Sequence, residues 1–95
     1  MIFYLMPAGD WRSLDGDVVA EPGDEGFVHC CVESQIAHVR RSYFPSDQQV
    51  VALAVDPTTL AAETRFEWGA GGEAERFPHV YGAIPRAAVL EARDA

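Results

Sequence analysis

The chain has no lysine and no asparagine, and its two cysteines, Cys30 and Cys31, are adjacent. Without lysine there is neither a Schiff-base amine nor the lysine of a phosphate-binding loop. Without asparagine a Cys-His-Asn protease arrangement is excluded. Neighbouring cysteines bridge each other only through a strained ring, so no structural disulfide is expected within the chain, and a reducing compartment follows. Basic residues are scarce: seven arginines against fifteen acids, for a net charge of −8. Polyanion binding rests on clustered positive charge, so nucleic acid is not an expected partner. A small anionic ligand needs only one or two well-placed arginines and stays open. No apolar run approaches the roughly 20 residues of a membrane span. The apolar start, Met1 to Met6, lacks a charged beginning and runs into Pro7, unlike a secretory signal. These features predict a cytoplasmic protein with no membrane segment.

What is present is a 95-residue chain, 48% apolar, which predicts one domain over residues 1–95 with a single modest core. Ile2 to Met6 reads as a strand, Ala8 to Leu14 as two helical turns, and Asp15 to Glu25 as a loop. Gly26 to Cys31 predicts a strand with Phe27, His29 and Cys31 on one face and Val28 and Cys30 on the other. A helix is expected from about Ser34 to Phe44, with Ile36, Val39 and Tyr43 as its apolar stripe. Val50 to Val55 is apolar on both faces and therefore a central strand. Thr64 to Trp68 alternates as a half-buried strand, with Trp68 and Trp11 in the core by default. Gly69 to Glu75 predicts a flap, Phe77 to Pro85 a compact bent segment, and Ala88 to Arg93 a last strand. The intervals are too short for repeated βαβ crossovers, so an α+β domain on antiparallel or mixed sheet follows.

Two runs place a histidine among apolar residues beside glycine or proline: Glu25-Gly26-Phe27-Val28-His29-Cys30-Cys31 and Arg76-Phe77-Pro78-His79-Val80-Tyr81-Gly82. Half-buried imidazoles need partners, which makes the two runs the expected walls of one pocket. His29 reads equally as a satisfied core histidine and as an acid, base or ligand-orienting group. His79 reads as a ligand contact, since proline restricts Phe77 and Gly82 permits a close backbone approach. Arg76 is the candidate anion contact and Glu67 the candidate base. Cys31 lies just ahead of a helix start, which admits a thiolate nucleophile beside the plainer reading of a small core residue. Zinc ligands come in regularly spaced pairs, which the chain lacks, so no metal site is expected.

These two runs, with the N-terminal strand, Trp11, Gln35, the Leu53-to-Asp56 strand and the Phe66-Glu67 pair, resemble the DUF952 family of small bacterial proteins. That family is similar in fold to ADP-ribosyltransferases, which hold NAD in a cleft between two small sheets. The resemblance implies an ADP-ribosyltransferase-like α+β fold with a cleft and two or three short helices. It also implies a nucleotide-like ligand, NAD or ADP-ribose. His29 and His79 would then orient sugar and phosphate groups, and Glu67 would serve glycosyl transfer. Tyr4, Trp11, Cys31, Arg76, Phe77, Tyr81 and Gly82 would line the ligand. Tyr4 stands where the relatives favour a basic residue, and Cys31-Val32 where they favour Ser-Thr. A non-catalytic binding module that keeps the cleft is the alternative.

Overall fold

The protein, seen in a computed structural model, is described over residues 1–69 and 74–95. Most of the expected flap, residues 70–73, lies outside the described residues. Among the described residues eight strands occur in chain order: β1 (Ile2–Pro7), β2 (Val18–Ala20), β3 (Val28–His29), β4 (Val50–Val55), β5 (Thr64–Trp68), β6 (Arg76–Val80), β7 (Ile84–Pro85) and β8 (Val89–Asp94). Two short helices, α1 (Ala8–Arg12) and α2 (Ile36–Tyr43), and three 3-10 turns complete the described chain. Every strand pairing is antiparallel, in sheets ordered β1-β4-β8, β2-β7 and β3-β6-β5. The fold is a small α+β arrangement of antiparallel sheets with few helices.

β4 sits between β1 and β8, and all six of its residues are buried. Its alternation divides the core in two. Val51, Leu53 and Val55 join Ile2 and Met6 of β1 in one apolar layer; Val50, Ala52 and Ala54 join Phe3 and Leu5 in the other. A strand covered on both faces needs no polar alternation, which is why this segment is continuously apolar. α2 packs Ile36 and Val39 against the second layer.

Among the described residues, backbone pairing joins β1 to the β3 segment at one isolated bridge. Phe3 and Cys31 exchange both backbone hydrogen bonds, at 2.7 and 2.9 Å. The cause lies in Pro78. Cys30 donates its N–H to the Pro78 carbonyl at 3.0 Å, but proline has no N–H to return. The β3–β6 ladder therefore stops at His29, and the chain crosses to β1 one residue later. Proline inside a strand reads in the sequence as a corner; here Arg76 to Val80 is a regular strand instead of a bent segment. The stretch Asp15 to Glu25 likewise is not all loop, because Val18–Ala20 pairs with Ile84–Pro85. Among the described residues, no helix is long and apolar enough to cross a membrane.

Candidate functional site

Beyond the Phe3–Cys31 bridge, β1 and β3 diverge and leave a cleft of about 620 Å³. Tyr4 and Leu5 line it from β1, Phe27 and His29 from the β3 segment, and Phe77 and His79 from β6. Val39, Tyr43 and Phe44 at the end of α2 close one side. Register explains the convergence. His29 lies opposite His79, which lies opposite Arg65, and Phe77 lies opposite Glu67, so these side chains share one face of the third sheet.

His79 is the buried centre, 3% exposed. Its Nδ1 lies 2.8 Å from Glu67 Oε1, and the Tyr81 hydroxyl donates to the same oxygen at 2.6 Å. A carboxylate accepts hydrogen bonds, so Nδ1 carries the proton and Nε2 of the neutral ring is left as an acceptor. That Nε2 is buried and, among the described residues, has no hydrogen-bond partner. A buried acceptor left unpaired costs about 1–3 kcal/mol. Phe27 stacks on the His79 ring at 4.0 Å between centroids and 13° between planes, and His29 stands edge-on at 5.3 Å. The Tyr81 hydroxyl first, and then the His79 bond, hold the Glu67 carboxyl below its ordinary range; the same contact raises Tyr81. Glu67 is thus the partner that orients His79 and does not itself line the cleft.

The two histidines differ sharply. The side chain of His29 is 53% exposed, and its Nε2 lies 2.8 Å from Glu25 Oε1. The face turned to the core is Val28 and Cys30, not Phe27 and His29. Cys31 is buried in the second core layer and also lines the cleft. Burial pushes its thiol up to about 12, and that of Cys30 likewise. A thiolate nucleophile at Cys31 is therefore corrected: desolvation outweighs the nearby helix start.

Other expected contacts stand elsewhere. Arg76 does not reach the cleft wall; β-strand alternation turns it to the opposite face, where its guanidinium lies 5.1 Å from the Trp68 ring centre. Trp68 is 62% exposed and not in the core. Trp11 packs against the first core layer under the Arg86 guanidinium, away from the cleft. Gly82 serves packing: a Cβ there would come within 2.6 Å of the Ala62 Cβ. Among the described residues, no three His, Cys, Asp or Glu side chains cluster as metal ligands would.

Some site residues carried only a weak signal in the sequence. Glu25 precedes His29 by four positions, within reach across the turn at Gly26, whose φ is +87°. Gln35 is buried; its Oε1 accepts the Val32 N–H at 2.9 Å and its Nε2 donates to the Arg76 carbonyl at 2.8 Å. It thus ties the start of the α2 segment to β6. Glu21 and Glu25 put carboxylates on the cleft wall, where among the described residues no arginine stands.

Comparison with known proteins agrees with this architecture. The structure of protein CC0527 from Caulobacter crescentus is similar, with a TM-score of 0.77 and 24% identity; it covers 98% of this chain and 83% of that chain. A double mutant of that protein gives a TM-score of 0.76 and 23% identity over the same shares. At such identity the likeness bears on the fold alone. No curated protein matches the chain significantly. Residues 5–92 match the family described as a protein of unknown function, DUF952. With that match spanning nearly all of its length, the chain belongs to the DUF952 family.

Proposed function

We propose that the protein is a small-molecule-binding domain whose cleft takes a flat, ring-bearing group with a hydrogen-bond donor for His79. The observation that carries this is the buried Nε2 of His79, without a hydrogen-bond partner among the described residues, in a cleft whose wall combines aromatic side chains with Glu21, Glu25 and His29. An acceptor held in one tautomer by Glu67 is costly in an empty protein and useful only when a donor arrives. Aromatic neighbours, Phe27 foremost, supply the apolar contact area that such sites use for binding.

Within the ADP-ribosyltransferase-like architecture that family resemblance implies, the ligand class is nucleotide-like, NAD or ADP-ribose. Glu21 and Glu25 on the wall disfavour a pyrophosphate and favour a neutral or cationic portion. The nicotinamide-ribose end of NAD has that character, and its carboxamide supplies the donor. Loss of the arginine contact separates this reading from one in which Arg76 gathers phosphate.

Calorimetric titration with nicotinamide riboside, NAD and ADP-ribose tests the reading. Saturable binding of nicotinamide riboside, weaker binding of ADP-ribose, and loss of both in a folded His79→Ala variant are expected. No heat and no thermal shift with any of the three would overturn it. ADP-ribosyl or glycosyl transfer is the second reading, in which Glu67, bonded to His79 and Tyr81, would act through the His79 ring that lines the cleft. Release of free nicotinamide from NAD would support it, and binding without release would leave a non-catalytic module.

A further inference from the structure

The outer edge of β5 has features that the cleft does not use. β5 is the last strand of the β3-β6-β5 sheet, and no described strand pairs with its far side. Tyr81 donates its N–H to the Glu63 carbonyl at 2.8 Å, in register with Arg65 opposite His79 and Glu67 opposite Phe77. Bonded and non-bonded positions alternate in an antiparallel ladder. Residues 63, 65 and 67 therefore turn their peptide groups to β6, and Thr64, Phe66 and Trp68 turn theirs outward. Sheet edges are ordinarily blunted by lysine, proline or a bulge. β5 has no lysine or proline, and its five residues pair with β6 without a register shift. Phe66, 52% exposed, and Trp68 flank this open edge.

We propose that β5 pairs antiparallel with β5 of a second copy, about a two-fold axis at Phe66. The sequence Thr64-Arg65-Phe66-Glu67-Trp68 is self-complementary in this register. Phe66 faces Phe66 of the partner subunit, Thr64 faces the partner's Trp68, and Arg65 faces the partner's Glu67. The outward peptide groups of residues 64, 66 and 68 become the bonded positions of the new ladder. Both Arg65–Glu67 pairs are opposite in charge at adjacent cross-strand sites, the arrangement that stabilises a sheet and selects its register. The same patch serves both copies, as two-fold symmetry demands. More than half of the Arg65 side chain is exposed, so it can turn outward at the cost of its two bonds to Glu63 and its place over the Tyr81 ring. The pairing does not depend on any ligand in the cleft.

Sedimentation velocity over a concentration series tests the proposal. A species of twice the 10.4 kDa chain mass is expected, weakening from 0.1 M to 1 M salt because both ion pairs are screened. Phe66→Lys sets like charges on the axis and is expected to weaken association roughly tenfold or more. Its circular dichroism serves as the folding control. Register is read by oxidising variants with one added surface cysteine, the native Cys30 and Cys31 being buried. Residues facing each other lie about 5.5 Å apart at Cα, within disulfide reach, so Phe66→Cys cross-links to itself. Two Trp68→Cys copies stand roughly 14 Å apart along the strands and do not; Trp68→Cys mixed with Thr64→Cys does. A monomer at every concentration overturns the proposal, as does a dimer indifferent to Phe66→Lys or a cross-linking pattern with another register.

Discussion

The first and third sheets have three strands each and put them to opposite uses. In β1-β4-β8 the central strand is buried on both faces, and side chains fill two apolar layers. In β3-β6-β5 one face packs Val28 and Val80 on the first core layer; the other sends Phe77 into the second layer but also carries His29, His79, Arg65 and Glu67. The first sheet buries its central strand among apolar side chains on both faces. The third buries a histidine nitrogen that has no partner among the described residues and leaves Phe66 and Trp68 exposed. Polar groups that are costly in the empty fold mark the region where function is to be sought.

This division is open to direct attack. The largest loss is expected from Leu53→Ala at the centre of β4, about 2–5 kcal/mol in urea unfolding, because the side chain is fully enclosed. A much smaller loss there would mean that the first sheet does not carry the stability. Gly82→Ala forces a Cβ against Ala62 and should cost about 1–3 kcal/mol. Adding Ala62→Gly should recover most of that cost, and failure to do so would point to backbone distortion instead of the contact. Gln35→Ala strands the Val32 N–H and the Arg76 carbonyl, and about 1–3 kcal/mol is expected by the same measurement.

His79→Phe sharpens the comparison. It removes one bond to Glu67 but also the unpaired nitrogen, so stability should change by less than about 1 kcal/mol while ligand binding is lost. A cost equal to that of Leu53→Ala would make His79 a structural residue. The smallest effect concerns acid. Glu67 titrates below its ordinary value of 4.5 in the folded chain, held there by Tyr81 and then His79. Its stabilisation is thus complete above that value and is lost as the pH falls through the lower folded one. Melting temperature followed downward from pH 5 should fall less steeply in Glu67→Gln than in the parent; identical slopes would remove Glu67 from the account.

Much of the frame was legible from periodicity. The doubly apolar run Val50 to Val55 announces a central strand, and Ile36 and Val39 announce the half-buried side of α2, whereas Tyr43 of the same expected stripe is exposed. Where reading failed, a single backbone group decided. The missing N–H of Pro78 ends one ladder and sends Cys31 to β1, and neither event leaves a periodic trace. Arg76 adjoins Phe77 in sequence, yet alternation puts it on the other face, over Trp68. Cys31 precedes a helix, yet burial governs its thiol.

By itself, then, the sequence determined which segments must hide from water and which residue types were available for chemistry, because hydrophobic burial and side-chain inventory are local properties. It also determined the opposed charges of Arg65 and Glu67 on one short strand. Only tertiary structure decided that His79 would meet Glu67 and Tyr81 while His29 met Glu25. Those meetings depend on register between strands distant in the chain, and a shift of one residue would turn every one of these side chains to the other face.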